Sequence, residues 1–368
     1  MSKFAKRKIN LMFVCGGGTG GHVDAMRAIA SQINRDSPSI EIVFVGSKRG
    51  LKSVKDYKCH FLCVRALRQG SIAYKICSLF ILLVGLLQAI VLYIKRPPDA
   101  VIGVGGYASA PMILIASIFR TPTYIVEQNI IPGLTNQILS FLANEMFVAY
   151  EGTKPLNRRI NPKIAGHVVH KTHIEAAKAK KGNGCSERTT ILCLGGSQGA
   201  KYINKIILET LPLLYVYRDR IQFVHQVGQN EDISVVDNSY KERGFFANIY
   251  GYINDIDKKY KAADFAICRA GAGTLAELLA YSIPAIVVPY PHSADDHQLR
   301  QAQYLESKGA LICLDQRNLT PQLLSANVEC LITNPNTLSM MKNSIKKLHN
   351  VNGAEFISSS ILKAHGSY

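Results

Sequence analysis

The sequence predicts an α/β protein made of two doubly wound, Rossmann-like parallel-sheet domains that face each other across a cleft. Three observations carry this reading. Apolar strand-like runs alternate with helical runs along the chain, the strands are near-continuous in apolar residues, and a strand–glycine–helix unit occurs twice, at Gly16 and at Gly195. Continuous apolar strands suit parallel sheets covered on both faces. The β–α alternation gives the α/β class. A chain of 368 residues is also comfortable as two cores and long for one.

The first half supplies "INLMFVC", "IEIVFVG", "AVIGVGG" and "TYIVEQ", each ending in glycine or polar residues ahead of a helix-like segment. The pattern restarts with "TTILCLGGSQGAKYINKII", "IQFVHQVG", "FAICRAGAGTLAELLA" and "AIVVPYPHS". Between the halves, the basic and breaker-rich "YEGTKPLNRRINPKIAGHVVHK" suits a linker. The expected domains are 1–165 and 166–345, followed by a C-terminal helix, 346–368, able to pack back on the first domain. The N-terminal "MSKFAKRKINLMFVC" is basic, then apolar, but its apolar run is too short for a signal peptide and reads as the first strand.

Hydrophobic residues make up 48% and charged residues 19%, which excludes a disordered chain. The net charge of +17, from 43 Lys and Arg against 26 Asp and Glu, calls for an anionic partner. Basic residues from Lys48 to Arg96 bracket the most apolar stretch, which points to an anionic membrane surface and not to nucleic acid. That stretch, "ICSLFILLVGLLQAIVLYI" from Ile76 to Ile94, carries no charge and reaches the length of a spanning helix, about 20 residues. A parallel sheet, however, needs the strands before and after it on one side of a bilayer. The preferred reading is a crossover helix, buried on one side and dipping into lipid on the other. A fully buried core helix and a spanning helix are the alternatives.

The nine cysteines are scattered. Cys15, Cys193 and Cys268 fall in apolar strand runs, where a thiol acts as a small hydrophobe. Cys59, His60 and Cys63 lack a second pair at zinc spacing, so no metal is expected. The thiols read as reduced and cytoplasmic.

Every candidate motif falls at the carboxyl end of a strand, where open α/β sheets bind ligands. Gly16, Gly18 and Gly21 fit a dinucleotide fingerprint, but the second strand ends in Lys48 and Arg49 instead of the acidic residue that holds a ribose. An NADP-dependent oxidoreductase therefore stays as a runner-up that leaves the second glycine loop unexplained. His22 is either a surface histidine at a helix start or a proton acceptor beside a sugar or phosphate. In "LGGSQGAKYIN", the N–H groups of Gly196, Ser197 and Gln198 can point at an anion next to a helix N-terminus. Thr274 and Glu277 have capping-box spacing, yet a carboxylate there can also accept from a ribose diol. Asp295, Asp296, His297 and Gln298 are either a solvated cap or the lining of a sugar pocket. Asp255 and Asp257 read as a helix cap and not as a metal pair.

Seven motifs, "GGGTGGHV", "GVGGYASAP", "EQNIIPGLTN", "LGGSQGA", "HQVG", "CRAGAGTLAE" and "PYPHSADDHQ", resemble in order those of the MurG family. The resemblance covers roughly residues 8 to 315. It implies a GT-B fold and a metal- and cofactor-free inverting transfer of GlcNAc from UDP-GlcNAc to lipid I, giving lipid II for peptidoglycan. It also implies peripheral attachment to the cytoplasmic face of the inner membrane, with other cell-wall enzymes as further partners. On the donor side it assigns Glu277 to the ribose, the Ile253 backbone to uracil, and Gly196, Ser197 and Gln198 to the diphosphate. Ala272, Gly273 and Thr274 would wrap the nucleotide, and Gln298 would meet the GlcNAc hydroxyls. On the acceptor side Thr19, His22, Tyr107, Glu127, Asn129 and Asn136 would line the cleft with the lipid-linked diphosphate, joined by Gly18 and His170. Thr19, Gly20, Gly21 and Asn129 are assigned donor contacts as well. His22 is the expected base and Glu127 its reserve.

The sequence departs from the family pattern at five positions. Asp24 and Ala25 follow "GGHV" in place of an apolar residue and proline, and a carboxylate in the first helical turn would repel a diphosphate. Val126 stands in place of a histidine, His170 in place of an arginine, and Gln301 in place of an asparagine of the sugar site. These keep two alternatives open: a same-fold transferase with another lipid acceptor, and a weakly active membrane-bound scaffold.

Overall fold

The computed structural model describes residues 8–17, 20–52, 54–65, 72–178, 188–196, 199–348 and 352–366. The chain divides into two compact units, with the break between Lys171 and Thr172, and the C-terminal segment returns to the first unit. The segment from Ala165 to Val169 stays with the first unit, whose core takes in Ala165 and Val168.

The first unit holds seven strands: β1 Leu11–Gly16, β2 Glu41–Gly46, β3 Lys58–Phe61, β4 Ala100–Gly103, β5 Thr123–Glu127, β6 Glu145–Val148 and β7 Lys163–Ile164. They lie in the order β3-β2-β1-β4-β5-β6-β7, every pair parallel. The second unit holds β8 Thr189–Leu194, β9 Ile221–Gln226, β10 Phe246–Tyr250, β11 Phe265–Cys268, β12 Ala285–Val287 and β13 Leu311–Cys313. Their order is β10-β9-β8-β11-β12-β13, again all parallel. In each sheet the winding reverses once, between β1 and β4 and between β8 and β11. That reversal splays the flanking loops apart and opens a crevice at the strand ends.

Both faces of the first sheet are covered. Met12, Val14, Phe44 and Ile102 pack on one side, under the helices Gly20–Asp36 and Gly353–Ala364. Phe13, Val45, Val101 and Ile125 pack on the other, under the helices Ile72–Lys95 and Ala110–Ile118. The C-terminal helix is bound firmly to this unit. Its Ile357, Ile361 and Leu362 are fully buried, Ser358 Oγ donates to Asp36 at 2.6 Å, and the Tyr124 hydroxyl meets His365 Nε2 at 3.0 Å. The helix begins at Gly353, where an added Cβ would sit 2.6 Å from the His167 carbonyl, so only glycine allows this approach.

The helix Ile72–Lys95 presents two different sides. Ala89 and Tyr93 are buried, and Tyr93 stacks on Phe119 at 4.5 Å and bonds the Thr121 hydroxyl at 2.6 Å. The helix touches the chain near Cys63 at Gly85, where a Cβ would lie 2.4 Å from the Cys63 carbonyl. Its other side shows Phe80, Leu83, Leu87, Val91 and Ile94 to solvent, with Phe80 70% and Ile94 67% exposed. That exposure removes the fully buried alternative. Among the described residues, no helix is long and apolar enough to cross a membrane.

Candidate active site

In the first unit the turns after β1 and β4 interlock. The Val104 N–H donates to the Cys15 carbonyl at 2.8 Å, and Gly106, at φ +74°, comes so close to Gly17 that a Cβ would sit 2.5 Å from its carbonyl oxygen. The helix starts at Gly20, two residues before His22. The imidazole of His22 therefore points back over this glycine pair. A Cβ at Gly105 would meet Nε2 at 3.3 Å, and one at Gly106 would meet Nδ1 and Cε1 at 3.5 Å. Desolvation lowers the His22 pKa from 6.5 to about 4, so the ring is neutral at pH 7.

Glu127, at the end of β5, is buried and gathers the loop that follows it. Its Oε1 accepts from the Asn129 N–H at 2.9 Å and from Asn129 Nδ2 at 3.0 Å. Its Oε2 accepts from the Gly133 N–H at 2.9 Å and from Asn136 Nδ2 at 3.0 Å. Burial raises its pKa while these four donors oppose the rise. A carboxylate with both oxygens so engaged positions a loop; it is poorly placed to serve as the reserve base. Asn136 also donates to the Val126 carbonyl at 3.0 Å and reaches the same glycine turn as His22, while its buried Oδ1 has no partner among the described residues. His22, Gly105, Gly106, Glu127, Asn129 and Asn136 thus form one cluster. Tyr107 follows it in the chain and is half-buried, and His170, also half-buried, is the last residue but one before the break between the units. Gly20 and Gly21 open the helix, and a Cβ at either would meet no atom within 4 Å.

Two departures from the family pattern change meaning here. Asp24 is exposed and lies in the second helical turn, not the first, because the helix begins earlier than the sequence suggested. Val126 faces the sheet core with Tyr124, which makes it a packing residue.

In the second unit the turn after β8 is drawn tight by Gly196, at φ +81°, and Gly199, at φ +77°. A Cβ at Gly199 would sit 2.3 Å from the Val227 carbonyl, whereas one at Gly196 would meet nothing within 4 Å. Gly196 therefore borders open space at a strand end. The expected sites Gly18, Thr19, Ser197 and Gln198 lie outside the described residues.

The turn after β11 corrects the capping-box reading. The helix Ala272–Ala280 is capped at Gly271, so Thr274 and Glu277 both lie inside it and neither closes its first turn. Glu277 Oε2 instead accepts the Tyr260 hydroxyl at 2.5 Å. Tyr260 is 2% exposed, comes from the helix Ile256–Ala262 and packs against Tyr281 with ring centroids 5.0 Å apart and the planes tilted by 34°. The Tyr281 hydroxyl bonds Asp257 Oδ1, which His173 Nδ1 also meets at 2.6 Å. Asp257 is thus occupied by a phenol and an imidazole. Asp255 is the N-cap residue of that helix and Asp257 lies in its first turn, as the cap reading expects, although the Asp255 side chain makes no capping hydrogen bond. No group of three or more metal-ligating side chains occurs among the described residues.

At the end of β12, Asp295 and Asp296 both adopt left-handed backbone, at φ +53° and +52°. For non-glycine residues such strain typically costs about 1 kcal/mol or more each and gathers at ligand sites. The bend presents Gln298, whose Oε1 accepts from the Tyr290 N–H at 3.0 Å. Gln301 does not line this bend. Its side chain is fully buried and donates to the Ala270 carbonyl, so it braces the turn after β11 from behind. Ile253 is buried, and its N–H donates to Gln226 Oε1 at 2.9 Å. Sequence reasoning missed both Gln226 and Tyr260; "HQVG" was noticed as a motif without a role for its glutamine.

Residues 12–148 match the glycosyltransferase family 28 N-terminal domain, and residues 190–355 match the family's C-terminal domain. A protein of Thermodesulfovibrio yellowstonii is 36% identical over 338 residues, covering 90% of this chain and 92% of its own. One from Anaeromyxobacter sp. (strain Fw109-5) is 34% identical over 351 residues, covering 94% and 91%. Both are named UDP-N-acetylglucosamine–N-acetylmuramyl-(pentapeptide) pyrophosphoryl-undecaprenol N-acetylglucosamine transferase. The crystal structure of Acinetobacter baumannii MurG superposes with a TM-score of 0.77 at 26% identity, covering 96% of this chain and 99% of that one. The glycotransferase of kitacinnamycin, at 14% identity and a TM-score of 0.73, shares the fold. With both halves matched and identity spread over nine-tenths of its length, the chain belongs to the MurG family of glycosyltransferase family 28.

Proposed function

We infer that this protein transfers N-acetylglucosamine from UDP-GlcNAc to the undecaprenyl-pyrophosphoryl-linked N-acetylmuramyl-pentapeptide, lipid I, forming lipid II. The observation that supports it most is Glu277: its carboxylate does not cap the helix after β11 but accepts the hydroxyl of Tyr260. A carboxylate in that setting is suited to accept from the two hydroxyls of a ribose. Gly196 and the helix after it would take the donor diphosphate, and Gly273, where a Cβ meets no atom within 4 Å, leaves room for the nucleotide. Gln298 would reach the sugar.

The first unit supplies the acceptor side. The open N-terminus of the helix Gly20–Asp36, at Gly20 and Gly21, suits the acceptor diphosphate, and His22 is the group placed to take the proton from the attacking hydroxyl. Charge that develops on the departing UDP is met by preorganised N–H donors and a helix terminus; losing one such donor typically costs about two to three powers of ten in rate. With Asp24 in the second turn, the case for a different acceptor loses one of its two supports.

The solvent-facing apolar side of the helix Ile72–Lys95, which ends in a lysine, would rest on the anionic cytoplasmic face of the inner membrane. Replacing Phe80 and Leu87 with serine should lower binding to anionic vesicles at least about tenfold, at ~0.8 kcal/mol per buried methylene. Sedimentation with vesicles measures this, and unchanged binding would refute the docking.

Labelled UDP-GlcNAc and a lipid I substrate test the activity directly. Wild-type protein should make lipid II, and Glu277→Ala should lose about a hundredfold in kcat/KM, as expected for a charged hydrogen-bonding group. No transfer by the wild type, or equal transfer by both, would overturn the reading.

A further inference from the structure

We propose that Asp257 and Tyr281 are positioning residues that set the Glu277 carboxylate and so sharpen the choice of a ribose over a deoxyribose. This rests on the donor reading above, in which Glu277 accepts from the ribose hydroxyls. Two tyrosine–carboxylate bonds run in opposite directions between the same two helical segments. Tyr260, in the helix Ile256–Ala262, donates to Glu277 Oε2 at 2.5 Å. Tyr281, the C-cap of the helix Ala272–Ala280, donates back to Asp257 Oδ1. Asp257 and Tyr260 are three residues apart in one helix, so they share a face. Glu277 and Tyr281 are joined in the same way at the end of the other, where the Tyr281 N–H donates to the Glu277 carbonyl at 3.0 Å. The two rings also touch, with centroids 5.0 Å apart and planes tilted by 34°. The four side chains therefore close a loop. His173 Nδ1 meets the same oxygen of Asp257 at 2.6 Å, which ties the loop to the helix Lys171–Lys178 as well.

The closed loop bears on how Glu277 is held. Burial raises the pKa of both phenols, that of Tyr260 well above its ordinary value, so each acts as a donor to a carboxylate. A lone phenol would swing about its own torsions and carry the carboxylate with it. The Tyr260 ring instead packs on a ring whose hydroxyl is fixed at Asp257. Glu277 is half-buried on a flexible stem, and holding it in advance lowers the ordering cost of binding. A ribose offers a carboxylate two hydroxyls at a fixed spacing, whereas a 2′-deoxyribose offers one. Only the pair needs the carboxylate at a set angle, so the loop acts on the preference between the two sugars.

Calorimetric titration of the full chain with UDP and 2′-deoxy-UDP tests this. The wild type should bind UDP about tenfold tighter or more. Asp257→Ala removes the acceptor for Tyr281, so UDP should weaken about fivefold and 2′-deoxy-UDP by less than about twofold. Asp257→Asn keeps an oxygen for the Tyr281 hydroxyl and should return the preference to within about twofold of the wild type. A side chain that only stabilises the fold would lower the melting temperature and weaken both nucleotides alike. That outcome in Asp257→Ala, or an Asp257→Asn as poor as Asp257→Ala, would overturn the inference. With the preference lost in Glu277→Ala but unchanged in Asp257→Ala, the inference falls and the donor reading stands. Should Asp257→Ala not fold, Tyr281→Phe keeps the ring contact and removes only the hydroxyl, and an unchanged preference there overturns the inference instead. A wild type without the preference, or a Glu277→Ala that keeps it, would overturn the donor reading and this inference with it.

Discussion

The two sheets follow one winding rule, yet the glutamates at their switch points are held in opposite ways. Glu127 is 4% exposed and accepts four N–H donors from the loop that it begins. Glu277 is half-buried, lies one and a half turns into its helix, and takes a phenol from a neighbouring helix on Oε2. A carboxylate whose two oxygens both hold its own loop is scaffolding for other groups, here Asn129 and Asn136. One that takes a phenol from a neighbouring helix is not committed to its own loop. The same residue type thus serves construction in one unit and recognition in the other.

The same substitution at both positions tests this contrast, and it should give the largest effect. In Glu127→Gln, an NH2 group faces N–H donors and a buried charge is lost, so stability should fall by about 3 kcal/mol. Thermal or denaturant unfolding would show it. In Glu277→Gln, the amide oxygen can still accept the Tyr260 hydroxyl, so stability should change by less than about 1 kcal/mol, while donor affinity drops. Equal destabilisation by the two variants would erase the distinction between them.

Much of the architecture could be read from the sequence, and the reason is local. Runs such as "LMFVC" and "TTILCL" are apolar because both faces of their strands are buried, and each of these two stops at a glycine at the strand end. Helix starts were harder to read. Gly20 and Gly21 are poor helix formers, so the sequence seemed to begin the helix at His22 and put Asp24 in its first turn. Thr274 and Glu277 have the spacing of a capping box, yet Gly271, with extended backbone, takes the cap three residues earlier. Gln226 and Tyr260 were invisible for another reason. Their partners lie 30, 27 and 17 residues away, and no periodicity encodes contacts across a sheet end. Gln301 misled through its place in a motif, since the side chain turns inward onto Ala270.

The next effect in size concerns how dry the first site is. Desolvation puts the His22 pKa at about 4 against 6.5 in an unfolded chain. The folded state therefore takes up this proton later than the unfolded one as pH falls. The stability tied to neutral His22 is complete above pH 6.5 and is lost as pH drops through about 4. With the ring partly exposed, the loss should be about 2 kcal/mol, less than the full shift would give. Unfolding free energies of wild type and His22→Phe across this window should diverge by that amount. The acid limb of kcat/KM, which reports the free enzyme, should likewise fall near pH 4 to 5. A limb at 6.5 would mean a solvated imidazole and would make the two sites alike.

The smallest effect is the most specific. Tyr260→Phe removes one oxygen and leaves the tilted ring contact with Tyr281, so the fold should be little changed. Glu277 would lose the bond that orients it but can regain one from water, since it is half-buried. The expected cost is about 1 kcal/mol, a rise of roughly fivefold in KM for UDP-GlcNAc with kcat within about twofold. If Tyr260 acts only through Glu277, its removal should have no further effect once Glu277 is already glutamine or alanine. Double-mutant kinetics measure this directly. Additive losses would mean that the phenol touches the donor itself or supports the helix by another route. Glu277 would then be a ligand group that needs no steering, and the contrast with Glu127 would reduce to burial alone.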